Sequence, residues 1–409
     1  MGDGGVLTHF HCEERFVPRA RDGENLIFSL EIFGLDAVRG RLYGAQARCR
    51  PTRIAQGERK NDAHVATFFS FIQSAKESNI LLSYVNSLWY YVFVDSFWEK
   101  LPRPFFALAP MEDVTDSAFR RLLAEEAKRP DIFWTEFTSA DGLARAPVEG
   151  KKALLQKLAF SEGERPVVAQ FFTRTPEYMT YAAHLAVELG FDGIDINMGC
   201  PDKKVEKQGC GAAMIKDPES ARAVIRAARA GAPHLPISVK TRIGYTTDEL
   251  DKWLPVLLSE NLAAIAVHAR TRKEMSAVPA RWDTIARAVA LRDASGAKTL
   301  IIGNGDVASL AGGKARTEET GCDGIMIGRA AIGNPWLWAE RSPTTAERIA
   351  MLHKHARIAC EIFGTVAAGG TRKHLTKYVL GLDQARELRV ALGNSKTLED
   401  VIAVTERIR

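Results

Sequence analysis

The feature that most constrains the fold is a regular alternation of short apolar runs and helical segments that starts near residue 104. The runs are rich in Val, Ile and Phe, and segments such as 176–189, 218–230, 247–260 and 283–291 between them have helical periodicity. Buried strands that alternate strictly with helices pair in parallel through right-handed crossovers. The predicted strands are 105–110, 132–137, 167–171, 193–197, 237–240, 264–268, 300–303 and 324–328.

Eight strand–helix units in about 235 residues match a closed (β/α)8 barrel, for which ~250 residues are typical. We therefore predict an α/β fold in which a (β/α)8 TIM barrel over residues 101–340 carries the chemistry. A doubly wound open sheet is the alternative. After residue 340 the strand pattern ends, and 344–363, 371–380 and 382–392 have helical periodicity. Residues 341–409 are therefore predicted to form a small all-helical C-terminal domain.

The first hundred residues lack this regularity, and we predict that 1–100 form an N-terminal extension of uncertain fold. Their most apolar segment, 80–94, contains polar residues and is shorter than the ~20 apolar residues that a membrane helix needs. We therefore expect no membrane role. The 409 residues include six cysteines and no CxxC pair. This cysteine usage is typical of a reduced, cytoplasmic compartment.

The positive charge of the chain is concentrated at its C-terminal end. The formal net charge is +5, and residues 341–409 carry 12 Lys and Arg against 7 Asp and Glu. Residues 1–100 are balanced at 12 against 12, and residues 101–340 at 31 against 31. A local basic excess suits a polyanionic partner. The alternative is an ordinary solvated helical surface.

Polar residues cluster where the predicted strands end. In a (β/α)8 barrel the catalytic groups lie at the C-terminal ends of the strands. These ends carry amides, bases, a thiol and glycine turns. A random distribution of such residues would place them equally at the N-terminal and C-terminal ends of the strands. We infer an enzyme whose ligand is large enough to touch several strands. The residues include Glu112, Gln170, Asn197, Cys200, Lys240, Arg242, His268, Arg270, Asn304, Asp306 and Arg329.

Glycine turns after the seventh and eighth predicted strands indicate a phosphate site. Gly303, Gly305 and Gly328 let backbone N–H groups approach an anion, and barrels of this type bind phosphate in these two loops. Arg329 would add a bidentate contact. Residues 303–308 read G-N-G-D-V-A, which also fits the dinucleotide fingerprint. That fingerprint belongs in the first βα unit of a Rossmann half, so a Rossmann interpretation is disfavoured.

Three side chains at the strand ends have alternative interpretations. Cys200 is either a nucleophile or a proton donor, since a thiol with a pKa near ~8.5 is mostly protonated at neutral pH. A disulfide or metal pair with Cys210 is a weaker alternative, and we expect no bound metal. His268 is either a hydrogen-bonded core residue or part of the site. Lys240 on the inward face of a strand needs an anionic partner, which favours a functional role.

In order and spacing these residues resemble the tRNA-dihydrouridine synthase family, FMN-dependent enzymes that reduce uridines of tRNA. The resemblance runs from about residue 104 to the C-terminus. Its most specific parts are Asn-Met-Gly-Cys-Pro at 197–201 and Gly-Asn-Pro-Trp at 333–336. The chain departs from the family pattern at Ala269, where glycine is usual, and at 276–279, where a Tyr-Ser-Gly stretch is common. Further matching motifs are 109–112, 114–116, 119–120, 209–213, 239–242, 267–272, 304–306, 324–332 and, in the helical domain, 372–375 with Tyr378.

The resemblance implies a role for each residue of the site. It implies that FMN is held by Pro110, Met111, Glu112, Gln170, Lys240, His268, Asn304, Gly305, Asp306, Gly328 and Arg329. It implies that the target uracil and the tRNA are bound by Asn197, Arg242, Arg270, Arg372 and Lys373. Cys200 is the implied catalytic residue: a hydride passes from reduced FMN to C6 of the uracil, and Cys200 gives a proton to C5.

The resemblance also implies NADPH as the reductant, tRNA as the partner and a monomeric, cytoplasmic oxidoreductase. Two alternative functions stay open. One is an FMN-dependent TIM-barrel oxidoreductase that acts on a small molecule, similar to dihydroorotate dehydrogenases, and the basic C-terminal segment argues against it. The other is a non-catalytic RNA-binding relative, and the complete set of polar strand ends argues against that.

Overall fold

The computed structural model describes residues 96–406 and the backbone of four short strands that precede them. The chain divides into two compact units, Met1–Asn86 and Ser87–Arg409. In the first unit Ile27–Ile32 pairs with Ala45–Arg50, and Leu35–Asp36 pairs with Arg41–Leu42, both in antiparallel fashion. The segment 80–94, which we expect not to span a membrane, lies outside the described residues. Within the described part, no helix is long and apolar enough to cross a membrane.

The second unit contains a ring of eight parallel strands. Strands β2 to β8 pair in parallel in chain order, and β8 pairs with β1. A parallel bridge between Ala107 and Ile132 joins β1 to β2 and closes the ring. The predicted (β/α)8 barrel is thereby confirmed, and the open sheet is wrong. The strands are β1 Phe105–Leu108, β2 Phe133–Trp134, β3 Val167–Phe172, β4 Gly193–Met198, β5 Ile237–Arg242, β6 Ala264–His268, β7 Leu300–Asn304 and β8 Gly324–Ile327.

Helices alternate with these strands and continue after the barrel. Several begin at a residue whose side chain accepts a backbone N–H, such as Asp116 and Asp217, which satisfies a donor that the first helical turn leaves unpaired. The barrel helices are α1 Ser117–Ala124, α2 Ala140–Arg145, α3 Val148–Lys157, α4 Pro176–Glu188, α5 Pro218–Gly231, α6 Leu250–Leu258, α7 Asp283–Ser295 and α8 Leu310–Thr320. The C-terminal helices are α9 Thr345–Phe363, α10 Thr371–Tyr378, α11 Ala385–Asn394 and α12 Leu398–Thr405.

The second predicted strand is interrupted in the structure. The prediction extends from 132 to 137, but β2 ends at Trp134 and a second short strand, Thr138–Ser139, pairs with β3 further along. At the interruption, the carboxylate of Glu136 accepts the backbone N–H of Asp113 from the loop after β1 at 2.6 Å. This contact between two loops at the C-terminal end of the barrel breaks the regular strand.

Inside the barrel, apolar and polar side chains occupy different levels. Alternate residues of each strand point inward, and one buried cluster collects the inward apolar residues, including Phe105, Trp134 and Ile302. Trp98, which lies in the predicted N-terminal extension, packs on Phe105 and Trp134 with ring centroids 5.9 and 6.0 Å apart. Towards the C-terminal ends of the strands the inward positions become polar: Gln170, Asn197, Lys240, His268 and Asn304. The polar residues at the strand ends therefore lie above a cluster of packed apolar side chains.

The C-terminal helices are fixed to the barrel by buried polar contacts. His374 on α10 accepts the N–H of Gly333 at Nδ1 (2.9 Å) and contacts the carbonyl of Val114 with Nε2 (2.7 Å). The Asp116 carboxylate, which caps α1, also accepts the N–H of Gly370 at 2.7 Å. The ring of Phe119 stacks on His374 with centroids 3.9 Å apart. The predicted helical C-terminal region is confirmed, and the predicted domain boundary at 340 stays a prediction.

Candidate active site

A cavity of about 330 Å³ opens at the C-terminal ends of the barrel strands. Its volume is sufficient for a small organic ligand or cofactor. Most of the predicted site residues line it, and they come from six of the eight strand ends. Those residues are Pro110, Met111, Asn197, Cys200, Lys240, Arg242, His268, Arg270, Asn304, Gly305, Asp306, Gly328 and Arg329. Residues that sequence reasoning missed also line it, among them Phe137, Met275, Ser276 and Met326.

The cavity has a strong excess of positive charge. Four cationic side chains line it, namely Lys240, Arg242, Arg270 and Arg329, and Asp306 is the one carboxylate among the described lining residues. Water-excluded walls strengthen the field of such charges. The arrangement suits an anionic ligand, and a phosphate group in particular.

Lys240 lies on β5 and is partly buried at the wall of the cavity. Burial, followed by the charge of Arg242, lowers the pKa of its ammonium to about 8. Its Nζ donates to Oδ1 of Asn304 on β7 at 3.3 Å. At neutral pH the ammonium therefore still carries its charge, although its desolvation leaves it in need of an anionic partner.

His268 is held as a neutral imidazole. Burial is the main cause that lowers its pKa far below the usual value, and Lys240, Arg242 and Arg270 lower it further by their charges. Nη1 of Arg270 lies 3.2 Å from Nε2 of His268. Because a guanidinium can only donate, Nε2 is the acceptor and the ring proton is on Nδ1. His268 can therefore offer a ligand one neutral N–H donor.

The loops after β7 and β8 combine an arginine with backbone that only glycine adopts easily. Gly305 has φ +133°, and a Cβ added there would lie 2.8 Å from the Cβ of Ala280. Asp306 pairs with Arg270 and, at 2.6 Å, with Arg329, whose side chain is 62% exposed. These salt bridges hold both guanidiniums at the edge of the cavity. The phosphate site that the glycine turns predict stays a prediction.

Cys200 lies in the loop after β4, which is fixed by Asn197. Oδ1 of Asn197 accepts the backbone N–H groups of Gly199 and Cys200 at 3.1 and 2.9 Å. Gly211 (φ +61°) lies directly beside this loop, where an added Cβ would be 2.7 Å from the carbonyl oxygen of Cys200. Burial raises the pKa of the Cys200 thiol above its usual value. The thiol is therefore protonated at neutral pH, which favours an acid over a nucleophile.

Arg242 connects two loops that border the cavity. Its Nε donates to the carbonyl of Gly199 at 2.7 Å, and its Nη1 donates to the carbonyls of Thr271 and Met275, both at 3.1 Å. Burial is the main cause that lowers its pKa, to about 10. Arg242 thus ties the loop after β6 to the Cys200 loop. In the sequence, the feature that marks this loop is the departure from the family pattern at 276–279.

Four predicted site residues lie outside the cavity lining. Gln170 is completely buried and bonds to Asp195 and Asn197. Glu112, in the loop after β1, is paired with Lys157 at 2.6 Å. Arg372 donates from Nε and Nη2 to the carbonyl of Ser395, at 3.0 and 2.8 Å, and Lys373 is exposed on α10. The structure brings the barrel residues together and leaves these two α10 cations apart from them.

Described cysteines and metal-ligating residues form no further centre. Cys200, Cys210, Cys322 and Cys360 are free thiols. Burial raises the pKa of Cys210 to about 12, so this thiol is a poorer acid and a poorer nucleophile than Cys200. Within residues 96–406, no group of three or more His, Cys, Asp or Glu side chains could hold a metal ion.

Comparisons with known proteins identify relatives over most of the chain. The family model described as Dihydrouridine synthase (Dus) matches residues 107–408. The chain is 39% identical over 317 residues to a probable tRNA-dihydrouridine synthase of Staphylococcus aureus (strain COL), covering 76% of this chain and 95% of that protein. It is 40% identical over 320 residues to probable tRNA-dihydrouridine synthase 2 of Bacillus subtilis (strain 168), covering 76% and 96%.

Solved structures give a more distant likeness. Histamine dehydrogenase from Rhizobium sp. 4-9 is 12% identical, with a TM-score of 0.43 over 62% of this chain and 48% of that one, which is too distant to carry a conclusion. The family model matches residues 107–408, and each of the two relatives covers 76% of the chain. The chain belongs to the dihydrouridine synthase family.

Proposed function

We propose that this protein reduces uridine to 5,6-dihydrouridine in tRNA, with FMN as its cofactor and NADPH as the reductant, as a cytoplasmic monomer. One observation carries the proposal: a cavity with four cations and one carboxylate is also lined by the thiol of Cys200, on the loop after β4. The first feature suits an anionic flavin and the second suits a proton donor. Family membership supports the pairing of the two.

The described residues fit FMN by their donor chemistry. Arg329, Arg270 and the backbone N–H groups near Gly305 and Gly328 would hold its phosphate. Lys240 and the Nδ1–H of His268 would face its ring edge. Bound there, FMN supplies the hydride that the reduction requires. The charge of Lys240, kept by a pKa of about 8, stabilises negative charge at this edge of the cavity.

Cys200 supplies the second hydrogen of the reduction. Saturation of the C5–C6 bond of uracil needs one hydride at C6 and one proton at C5, and the S–H bond breaks as the C5–H bond forms. The hydrogen bonds from Gly199 and Cys200 to Asn197 hold the loop in place during this transfer. The nearby guanidinium of Arg242 stabilises the thiolate that remains.

The C-terminal helices provide cations for the phosphates of tRNA. Within residues 96–406, the exposed side chains of Lys373, Lys377, Arg386 and Arg389 form no recorded hydrogen bond or ion pair. Cations without a protein partner are free to replace the counterions of a nucleic acid. The target base must leave its stack to enter the cavity, at a cost of a few kcal/mol. Phosphate contacts at these helices would offset that cost.

The test uses the full-length purified protein and its visible absorption spectrum. We expect a bound flavin that NADPH reduces and that unmodified tRNA reoxidises, with a gain of two hydrogens in the tRNA nucleoside. Free uridine and dihydroorotate-type small molecules serve as alternative oxidants. A colourless protein, or a flavin that a small molecule reoxidises while tRNA does not, would overturn the proposal.

A further inference from the structure

A fully buried carboxylate lies beneath the Cys200 loop, and the proposed reaction does not use it. Asp195 on β4 lies in register with Gln170 on β3 and with Ser238 on β5. Its Oδ2 accepts Nε2 of Gln170 at 2.7 Å, and its Oδ1 accepts the hydroxyl of Ser238 at 2.6 Å. Both oxygens are thereby satisfied inside the barrel, which is what a buried carboxylate requires.

The hydrogen bonds continue from Asp195 to Cys200 in one direction. Nδ2 of Asn197 donates to Oε1 of Gln170 at 3.1 Å. Oδ1 of Asn197 then accepts the N–H groups of Gly199 and Cys200. The row Asp195, Gln170, Asn197, Cys200 is a continuous set of hydrogen bonds that crosses from β4 to β3 and returns to the loop after β4. We refer to it as the amide relay.

The carboxylate decides how each amide in the relay is turned. An ionised carboxylate has no proton to donate, so the NH2 group of Gln170 must face Asp195 and its oxygen must face away. The NH2 group of Asn197 must then face Gln170, which leaves its oxygen towards the two N–H groups of the Cys200 loop. If Gln170 turned over, its oxygen would face the carboxylate and Asn197 would lose its acceptor.

We propose that Asp195 is a positioning residue that fixes the Cys200 loop through Gln170 and Asn197. Its effect on catalysis rests on the proposed function of Cys200, whereas its effect on the position of the thiol does not. Buried polar networks of this kind are rigid when every member is satisfied and costly when one is removed. Loss of the carboxylate should therefore loosen the loop that follows the same strand, β4, because the hydrogen bonds that reach this loop pass through Gln170 on β3.

Asp195 also acts on a second group by its charge alone. It raises the pKa of Lys240 against the opposing effects of burial and of Arg242. The two effects can be separated, because an asparagine at 195 keeps an acceptor for Gln170 but loses the charge. The Asn amide can donate to the oxygen of Ser238, whose hydroxyl can turn to the carbonyl of Ile194, 3.3 Å away.

The experiment measures the rate at which iodoacetamide alkylates Cys200 in the full-length protein, read by mass spectrometry of its peptide. Asp195→Leu and Gln170→Met each remove one member of the relay. We expect both variants to be alkylated about tenfold faster than the parent, because buried hydrogen bonds no longer oppose loop opening. Asp195→Asn should stay close to the parent rate. Ser238→Ala is the matched control, since it removes the other hydrogen bond to the same carboxylate without touching the relay.

Two variants protect the test against misfolding, because Gln170→Met keeps the buried charge that Asp195→Leu removes. If either folded variant is alkylated at the parent rate, the relay does not hold the loop and the proposal is overturned. The same outcome follows if Ser238→Ala accelerates alkylation as much as Asp195→Leu. Reoxidation by tRNA is recorded in parallel, together with Cys200→Ala. If alkylation changes as expected but Cys200→Ala reoxidises normally, the role of Asp195 in the relay is supported and the proposed function of Cys200 is contradicted.

Discussion

His374, at the junction between the barrel and the C-terminal helices, is buried, and His268, in the cavity, is partly buried, yet the two differ in how many ring nitrogens the protein itself engages. At the junction, His374 uses both ring nitrogens, one for Gly333 and one for Val114. In the cavity, His268 uses Nε2 towards Arg270, and within residues 96–406 no hydrogen bond from its Nδ1 is recorded. One histidine is complete within the fold, and the other leaves a donor for a ligand.

The pKa values of the two histidines do not make this distinction. Burial is the main cause that lowers both, and the pKa of His374 falls to about 4 while that of His268 falls further. Perturbed pKa values mark structural networks as well as functional sites. What separates the two regions is the balance of charge and donors. His374 at the junction has both ring nitrogens engaged, whereas the cavity retains an excess of cations. The following predictions test this contrast, from the largest expected effect to the smallest.

The largest effect is expected from Cys200 in the cavity. Cys200→Ala should still bind flavin and accept reduction by NADPH, because an acid acts only when the hydride is transferred. Reoxidation by tRNA, followed by stopped-flow absorbance, should slow by roughly 100–10,000-fold, the usual contribution of general acid catalysis. Cys200→Ser should recover little, because a hydroxyl is a much weaker acid than a thiol.

Cys210→Ala is the matched control for this measurement. Its thiol lies in the same buried cluster, but burial raises its pKa to about 12, so its loss should leave reoxidation unchanged. Reoxidation at the parent rate in Cys200→Ala together with a stalled Cys210→Ala would move the proton donor to Cys210.

The second effect concerns the junction and is one of stability. His374→Ala leaves the N–H of Gly333 and the carbonyl of Val114 without partners and removes a ring stacked on Phe119. We expect a loss of about 3 kcal/mol in the free energy of unfolding near pH 7. Flavin affinity should stay at the parent value, because none of these groups lines the cavity. Urea unfolding and flavin titration measure the two quantities.

The destabilisation by His374→Ala should also depend on pH. The folded pKa of His374 is about 4, below its usual 6.5, so its contribution is fully present above pH 6.5 and is lost as pH falls towards 4. The difference between parent and variant should therefore shrink by about 1.4 kcal/mol per pH unit across this window. A difference that stays constant from pH 7 to pH 5 would contradict the neutral, fully bonded state of His374.

Sequence reasoning recovers the barrel because each strand is a short, local pattern. The strand at Ala264–His268 has the predicted bounds, and the others differ mainly at their C-terminal ends. The break after β2 was missed because it depends on Glu136 reaching a backbone N–H in another loop. The helix Leu398–Thr405 was also missed, although Thr397 and Asp400 form a capping box that the sequence displays.

The sequence predicts the site as a set of strand ends. Which of these residues line the cavity and which lie buried beneath it depends on the three-dimensional structure. Gln170 and Asn197 both belong to the amide relay, but only Asn197 also lines the cavity, and this difference is visible only in the structure. Asp195 is not among the predicted site residues, because it lies in mid-strand, before the C-terminal end of β4. Likewise, no spacing rule indicates that Arg372 contacts the carbonyl of Ser395. Hydrogen bonds between distant segments decide these roles.

The third effect tests the phosphate side of the cavity. Arg329→Ala should weaken flavin binding about tenfold, the lower end of the ~1.5–3 kcal/mol range for a charge-assisted contact. We expect the lower end because the Arg329 side chain is 62% exposed and shared with Asp306, so solvent screens it. The control is Arg287→Ala. Arg287 lies on the outer helix α7 and pairs with Asp248. Unchanged flavin affinity in Arg329→Ala would place the phosphate elsewhere.

The smallest effect separates two neighbouring cations that the sequence assigns to the same role. Lys373 is exposed, and within residues 96–406 no partner of its ammonium is recorded, whereas both donor groups of Arg372 are used at the carbonyl of Ser395, where α11 ends. Lys373→Ala should weaken tRNA binding a few-fold and reduce the slope of log K against log salt by about 0.9 or less. Arg372→Ala should instead lower the unfolding free energy by about 1 kcal/mol and leave the salt slope unchanged.

Fluorescence anisotropy with labelled tRNA over a series of salt concentrations measures both slopes. A reduced slope in Arg372→Ala with an unchanged one in Lys373→Ala would reverse the assignment, because it would show that a guanidinium engaged inside the fold still counts as a phosphate contact.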